Sequence, residues 1–372
     1  MAKVLHLYNM FGAATERTML EVPLALAERG HDLTFAAETI ASEAPAVSQR
    51  VVAVPRIEVQ PAADIDTQMQ AIAEAAPVID ERFDLVHGHF GPRGLHAARY
   101  LHRGVPVVLT TYGYDVSRLL RDPCWGERYR WLGEHGATFV ALSEAMAETL
   151  RGMGVPRDSV EIIPLGIDLN RWPYASQRVG SSRFLFVGRF VPKKGLGRLI
   201  EAVAICSRWG VKLSLNVVGG GESAVEAGYT DQARQLGVSA LIDFVGRVPY
   251  EERGDAMRNA TALVAPSETA PDGDAEGCPM VLMQAQAVGT PVITTRHAGN
   301  AEALPAAAQR FVVDEGDAES LAAAMRNLIR LEPETRGQLQ AAGRSWVETR
   351  FDIQRTVEQY DALYRRLALP GA

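Results

Sequence analysis

Glu276 stands in a polar loop between a predicted strand and a predicted helix. The strand covers 262–265 and the helix covers 281–288, with Pro279 where a first helical turn tolerates proline. The free backbone N–H groups of that turn attract a phosphate or a polarised oxygen through their unpaired donors and the helix dipole. An acid beside them suits a hydroxyl group, so this segment predicts a site for a phosphorylated sugar.

Two kinds of cation lie in a turn further upstream. A predicted strand at 183–187 is followed by Gly188-Arg189-Phe190-Val191-Pro192-Lys193-Lys194-Gly195 and a predicted helix at 196–208. The chain contains only four lysines, so two adjacent ones in a glycine-bounded turn indicate a specific role. A solvated cationic turn is the alternative interpretation.

These two segments resemble retaining glycosyltransferases of family 4, which have the GT-B fold. The family's donor-binding signature is Glu, seven residues, a second Glu, and then a Gly-x-Pro-Val strand. Here Glu276 is followed after seven residues by Gln284, and then by Gly289-Thr290-Pro291-Val292. The family's second acid hydrogen-bonds the ribose of the donor. An amide keeps an acceptor oxygen and adds donors, so Gln284 retains the capacity for that contact without the charge.

The resemblance spans nearly the whole chain and implies roles for individual residues. Arg189 and Lys194 would hold the donor diphosphate, and Glu276 would hold hydroxyls of the sugar ring. Other residues are expected on the donor side, through two glycine-containing loops and the predicted helix start: Gly12, Gly219, Gly221, Gly277, Cys278, Pro279, Met280 and Gln284. For the run Gly219-Gly220-Gly221, a sharp strand-to-helix bend is the alternative interpretation.

The acceptor side is expected in the first half of the chain. Tyr112 occupies the place of a family histidine that contacts the transferred sugar and the acceptor region. His89, in His87-Gly88-His89-Phe90-Gly91, would orient the acceptor, and a strand-end histidine with a structural hydrogen bond is the alternative that the pattern favours. Asp115 and Glu16, the latter in the loop after the first strand, complete this set.

We expect neither a metal ion nor a cofactor. Asp272-Gly273-Asp274 supplies two carboxylates, which do not complete a magnesium site, and the segment suits a surface turn or an acceptor-recognition loop. The first loop has one glycine and lacks the Gly-x-Gly-x-x-Gly pattern of a nicotinamide or flavin enzyme, so it gives no support to a dehydrogenase.

Composition limits the class of protein. The chain has 372 residues, 47% hydrophobic and 22% charged, with a net charge of −7 that argues against general affinity for nucleic acids. It shows no signal peptide, no apolar run of membrane-span length and widely spaced cysteines, so we expect a cytoplasmic protein. The segment 118–131 mixes arginines with aromatic residues, which leaves two readings: peripheral contact with the inner face of the membrane, or a partly buried pair of helices.

Short apolar runs alternate with helix-length amphipathic segments, which is the pattern of parallel βαβ units. We predict strands at 4–7, 33–36, 51–54, 85–87, 107–110 and 138–141, and again at 184–187, 213–217, 242–245, 262–265, 292–294 and 311–313. Helices are predicted at 19–29, 72–81 and 145–151 in the first half. The expected fold is α/β of the GT-B type: two Rossmann-like, doubly wound parallel-sheet domains facing a cleft.

The predicted domains are an acceptor-binding domain at 1–163, joined by a C-terminal helix at about 353–372, and a donor-binding domain at 183–352. Residues 164–182 form the predicted linker. The expected activity is retaining transfer from a nucleotide-diphosphate sugar, such as a UDP- or GDP-sugar, to a hydroxyl of a glycan, a lipid-linked glycan or a small-molecule glycoside. A catalytically silent homologue that binds a nucleotide sugar is the alternative, because Gln284 and Tyr112 replace two usual functional groups.

Overall fold

The computed structural model describes residues 1–12, 17–42, 44–57, 62, 64–77, 79, 82–175 and 182–368. Its strands are β1 Lys3–Phe11, β2 Asp32–Ile40, β3 Arg50–Ala53, β4 Leu85–His89, β5 Val107–Thr110, β6 Ala137–Ala141, β7 Val160–Ile162, β8 Arg183–Arg189, β9 Ser214–Gly220, β10 Ile242–Gly246, β11 Ala262–Ala265, β12 Val292–Thr295 and β13 Val312–Val313.

The helices lie between these strands and after them. They are α1 Arg17–Glu28, α2 Ile65–Ala75, α3 Arg93–Leu101, α4 Pro123–Glu134, α5 Glu144–Gly152, α6 Leu196–Arg208, α7 Ser223–Gln235, α8 Arg253–Arg258, α9 Met280–Ala287, α10 Ala318–Ile329, α11 Pro333–Arg350 and α12 Ile353–Ala368. Within the described ranges, none of these helices has the length and apolar character needed to cross a bilayer.

The chain forms two compact units. The first contains Met1–Gly166 and Ile353–Ala372, and the second contains Ile167–Asp352. In the described residues, the first unit carries a parallel sheet in the order β3-β2-β1-β4-β5-β6-β7 and the second a parallel sheet in the order β10-β9-β8-β11-β12-β13. The α/β class and the two doubly wound sheets are therefore confirmed.

Each sheet has a point where the strand order reverses. In the first unit this point lies between β1 and β4, and in the second it lies between β8 and β11. Connections leave such a pair of strands in opposite directions, so a crevice opens at their carboxyl ends, where α/β proteins bind ligands. The loops after these four strands are therefore the places to look for a site.

The C-terminal helix α12 packs within the first unit. Its buried side chains, Val357, Tyr360 and Tyr364 among them, follow the spacing of one helical face and join the core around β1 and β4. At its start, the Thr356 hydroxyl donates to the carbonyl oxygen of Pro164 at 3.0 Å. The hydroxyls of Tyr364 and Tyr360 contact His87 in β4 and Thr110 in β5, so this helix supplies polar partners to the sheet.

Some predicted elements differ from the structure. The helix expected at 72–81 is α2, which begins at Ile65 because the Asp64 side chain accepts from the Thr67 N–H, and ends at Ala75 ahead of Pro77. Strand β7 was not predicted, since its three residues are too few to show a period.

The segment 118–131 contains a short 3₁₀ turn followed by α4. Pro123 is the first residue of that helix, and Gly126 lies inside it without breaking it. Tyr129 and Trp131 are buried, and the Trp131 indole donates to Asp66 at 2.7 Å. The partly buried reading therefore describes these aromatic side chains in the structure.

Candidate functional site

The turn after β8 carries the predicted cations. Arg189 is the last residue of β8 and is exposed, and Lys194 lies in the 3₁₀ turn Pro192–Lys194. Gly195 closes the turn with φ +65°, and a Cβ there would overlap the carbonyl oxygen of Pro266. Only glycine permits this close approach, which brings the turn against the chain that leaves β11.

Lys194 and Glu276 form an ion pair in that crevice. Lys194 Nζ lies 2.7 Å from Glu276 Oε1, and the two side chains are 18% and 9% exposed. Burial alone would raise the pKa of the Glu276 carboxyl, but the charges of Lys194 and Lys193 outweigh it and lower that pKa. Glu276 is therefore held as a carboxylate at the carboxyl edge of the sheet.

Lys193 points to a different partner. Its buried ammonium lies 3.0 Å from Asp274 Oδ1 and donates to the carbonyl oxygen of Ala275 at 3.1 Å. The Asp274 N–H in turn donates to Asp272 at 3.1 Å. Asp274 thus anchors the loop before Glu276, and its charge is balanced by Lys193.

Helix α9 begins with an open N-terminus. Pro279 is the N-cap residue and, among the described residues, no side chain caps the start. Gly277 and Cys278 are buried just ahead of it, and burial raises the pKa of the Cys278 thiol to about 12, so the thiol stays neutral. The first N–H groups of α9, beginning with that of Met280, point out of the helix start, where the helix dipole also favours an anion.

Gln284 lies in the second turn of α9 and is buried. Its amide nitrogen donates to the Tyr250 hydroxyl at 3.3 Å. A carboxylate could not make that contact as a donor, whereas the amide does so and still has its carbonyl oxygen to offer.

The glycines at the end of β9 have a packing role that is visible in the structure. Gly219 has φ +143°, and a Cβ on it would overlap the carbonyl oxygen of Gly188 in β8. A Cβ on Gly221 would lie 2.9 Å from the Cβ of Phe190. These glycines let the ends of β8 and β9 approach closely beside Arg189.

His297, which was not predicted from the sequence, forms a hydrogen bond with the backbone of Glu276. The Glu276 N–H donates to His297 Nε2 at 3.0 Å, and His297 Nδ1 lies 2.7 Å from Glu315 Oε1. His297 comes two residues after β12, the neighbour of β11 in the sheet. Loops that follow the strands of a parallel sheet carry candidate site residues, and this rule, which points to Glu276, also points to His297.

In the first unit, His89 and Tyr112 are in contact. The Tyr112 hydroxyl lies 2.7 Å from His89 Nδ1, and His89 Nε2 lies 3.0 Å from His6 Nδ1. His87 bonds the hydroxyls of Tyr364 at 2.5 Å and Thr110 at 2.7 Å. His6 was not predicted, since only the β1–β4 pairing places it beside His87.

These imidazoles are buried and neutral. Burial lowers the pKa of His87 to about 3, and burial followed by the neighbouring histidines lowers the pKa values of His6 and His89 well below the usual range. Groups of such low basicity are poor acceptors for a proton released near neutral pH.

His6, His87 and His89 are also close enough to share a metal ion, with one ring nitrogen of each within 4.8 Å of the others. However, the rings of His87 and His89 are stacked, with centroids 4.3 Å apart and planes 24° apart. Their in-plane lone pairs therefore lie in nearly parallel planes, and both nitrogens of His87 are already hydrogen-bonded. A shared ion would require these rings to turn. That the protein works without a metal ion stays a prediction.

Asp115 is a buried acceptor for backbone groups. It receives the N–H groups of Gly91 at 2.9 Å, Tyr112 at 2.8 Å and Gly113 at 3.0 Å, while burial raises the pKa of its carboxyl. It therefore ties the loops after β4 and β5 together beneath Tyr112.

The remaining predicted positions, Gly12 and Glu16, follow β1 in the sequence. Gly12 follows β1 with φ +78°, and a Cβ on it would overlap Ala44. Glu16 lies outside the described residues. The structure thus gathers Arg189, Lys194, Glu276 and the start of α9 in the second unit, and His89, Tyr112 and Asp115 in the first.

Two family models match most of the chain. Residues 175–346 match "Glycosyl transferases group 1", and residues 15–171 match "Glycosyltransferase Family 4". Among curated proteins, the amylovoran biosynthesis glycosyltransferase AmsK of Erwinia amylovora is 30% identical over 290 residues, covering 77% of this chain and 70% of that protein.

Solved structures show the same fold. Sucrose-phosphate synthase from Thermosynechococcus elongatus superposes with a TM-score of 0.80 at 20% identity, covering 98% of this chain and 99% of that one. HepE of Anabaena, solved in complex with UDP and glucose, gives a TM-score of 0.76 at 16% identity and covers 98% of this chain and all of that one.

Proposed function

The chain belongs to the group 1, family 4 glycosyltransferases, and from this premise we propose that it moves a sugar from a nucleoside-diphosphate sugar to an acceptor hydroxyl, with retention of configuration and without a metal ion. The observation that carries the proposal is the pairing of Lys194 with buried Glu276 beside the open start of α9. Cations, an acid and free N–H groups together suit a sugar linked to a diphosphate.

The cations would serve the leaving group. As the bond between the sugar carbon and the diphosphate oxygen breaks, negative charge grows on the phosphate oxygens. Arg189, Lys194 and the N–H groups at the start of α9 would stabilise that charge. A lysine has three N–H donors, so Lys194 can hold Glu276 and a phosphate oxygen together.

Glu276 would hold the sugar. A carboxylate kept ionised by Lys194 accepts hydroxyl hydrogen bonds strongly, since charge-assisted bonds are about twice as strong as neutral ones. The new bond forms between the sugar carbon and the acceptor oxygen, and the acceptor proton passes to the departing phosphate oxygen. The low pKa values of the buried histidines support this route over one that uses them as the base.

The substrate class rests on the relatives. HepE was solved with UDP and glucose, which supports a nucleotide-sugar donor such as a UDP-sugar, and AmsK is named for amylovoran biosynthesis, which supports a glycan acceptor in polysaccharide biosynthesis. We place the reaction in the cytoplasm, where the free cysteines of the chain would stay reduced.

The test is calorimetric binding of UDP, GDP, ADP and their sugar conjugates in EDTA, for the wild type, Lys194→Ala and Lys212→Ala. Lys212 is an exposed lysine of the same unit and serves as the matched control. We expect one nucleotide to bind, with affinity lower by roughly 10- to 100-fold in Lys194→Ala only.

Binding to none of the nucleotides would overturn the proposal. Binding of one nucleotide without transfer to any hydroxyl acceptor would favour the silent homologue, which the residues Gln284 and Tyr112 motivate.

A further inference from the structure

The segment 266–279, called here the donor loop, connects β11 to α9 and carries Glu276. It has no strand or helix of its own, so its shape depends on side-chain contacts. Lys193 holds one part of it through Asp274, as described above. His297 forms a hydrogen bond with the backbone of Glu276, and this bond determines which nitrogen of the imidazole carries the proton.

The Glu276 N–H can only donate, so His297 Nε2, 3.0 Å away, must accept and carry no proton. The ring proton therefore sits on Nδ1, where it is donated to Glu315 Oε1 at 2.7 Å. His297 is 2% exposed, and its hydrogen bond with the Glu276 N–H is buried away from water. The tautomer of this histidine is set by its two partners.

Glu315 also binds the far arm of the donor loop. Its other oxygen accepts from the backbone N–H of Thr269 at 2.8 Å and from the Thr269 hydroxyl at 3.1 Å. Burial would raise the pKa of the Glu315 carboxyl, but the Thr269 N–H and His297 lower it overall. One carboxylate and one imidazole thus connect Thr269 to Glu276 across the loop.

We propose that His297, oriented by Glu315, is a positioning residue for sugar transfer that sets where the Glu276 carboxylate stands. The inference rests on the proposed function, since it assumes that Glu276 contacts the sugar. It predicts two separate roles. The turn after β8 binds the diphosphate, and the His297–Glu315 pair positions Glu276, which aligns the sugar for reaction.

Loss of the pair should therefore lower kcat more than nucleotide affinity. Arg189 and Lys194 lie at the end of β8 and in the turn after it, and this turn has backbone hydrogen bonds of its own, such as that from the Lys194 N–H to the Val191 carbonyl oxygen at 3.0 Å. A displacement of Glu276 by about 1 Å is expected to lower the rate roughly a hundredfold. A purely structural role would instead reduce stability, nucleotide binding and turnover together.

The experiment compares wild type, His297→Leu, His297→Gln and Glu315→Gln, in the full chain. It measures kcat, KM for the donor sugar, and the Kd of the nucleotide alone. Glutamine can place its carbonyl oxygen near the former Nε2 and accept from the Glu276 N–H. We expect kcat to fall roughly a hundredfold in His297→Leu, to recover to within about tenfold of wild type in His297→Gln, and nucleotide Kd to stay within about threefold in both.

Glu315→Gln keeps the test informative if His297→Leu does not fold. Its amide gives up one acceptor, so either Thr269 or His297 loses its partner, and kcat should fall with little change in nucleotide Kd. Wild-type kcat in folded His297→Leu, or in Glu315→Gln, would overturn the inference.

A second readout is independent of activity. Nitrogen-15 spectra of histidine-labelled protein, with the His297 signals assigned by their loss in His297→Gln, should show a protonated Nδ1 and a bare Nε2. A protonated Nε2 would overturn the inference. If the wild type neither binds nucleotides nor transfers sugar, the proposed function fails. If the wild type is active and the His297 variants have the same kcat, only the inference is refuted.

Discussion

Replacing Lys194 by Met should leave Glu276 as a buried carboxylate without its nearest counterion. Removing one partner of a buried ion pair costs about 3–5 kcal/mol. Lys194 is 18% exposed, and the charge of Lys193 still acts on Glu276. We therefore expect the free energy of unfolding to fall by about 2–3 kcal/mol at pH 7, below the usual range for a fully buried pair.

The effect should depend on pH with a defined sign. In the wild type the pKa of Glu276 is lowered by folding, so its stabilisation is present above the unfolded pKa and lost as pH falls through the folded pKa. In Lys194→Met, burial should raise the folded pKa of Glu276 instead. The difference between the two proteins should be largest at neutral pH and shrink once the carboxyl is protonated.

The assay is urea unfolding at pH 7 and near pH 4 for Lys194→Met, Glu276→Gln and the double variant, with Lys212→Met as the exposed-lysine control. With Gln at 276, removal of Lys194 should cost less than about 1 kcal/mol, because no charge is left unpaired. A coupling energy below about 0.5 kcal/mol would refute the reasoning, since it would show that the two residues act independently.

Two further pairs of substitutions, each a test variant with its control, probe the backbone geometry around the sites by urea unfolding. Gly219→Ala should destabilise by about 3 kcal/mol or more, because its Cβ meets the Gly188 carbonyl oxygen, whereas Gly228→Ala, in open space on α7, should stabilise by about 0.5–1 kcal/mol. Equal effects would contradict the packing role. Asp115→Asn should cost about 1–3 kcal/mol because an amide turns donors toward backbone N–H groups, and Asp158→Asn, on the surface, should be neutral; a neutral Asp115→Asn would be inconsistent with the hydrogen bonds described.

Local patterns were sufficient for the architecture. The apolar runs that became β5 and β11 are buried on both faces, so their composition alone marks them as strands of a covered parallel sheet. The alternation with helices then implies two doubly wound sheets. Element ends were less well predicted, as α2 shows, because a cap such as Asp64 overrides the apolar period.

The sequence by itself determined which residues stand at strand ends: Glu276 in the loop after β11, Lys194 after β8 and His89 at the end of β4. These positions follow from local periodicity and turn residues, which act over a few neighbours along the chain. The tertiary structure decided which of them meet. The ion pair of Lys194 with Glu276, the hydrogen bond of Glu276 with His297, and the contact of His6 with His89 join residues 82, 21 and 83 positions apart. Such contacts depend on strand order in the sheet, and strand order is set by packing of the whole domain.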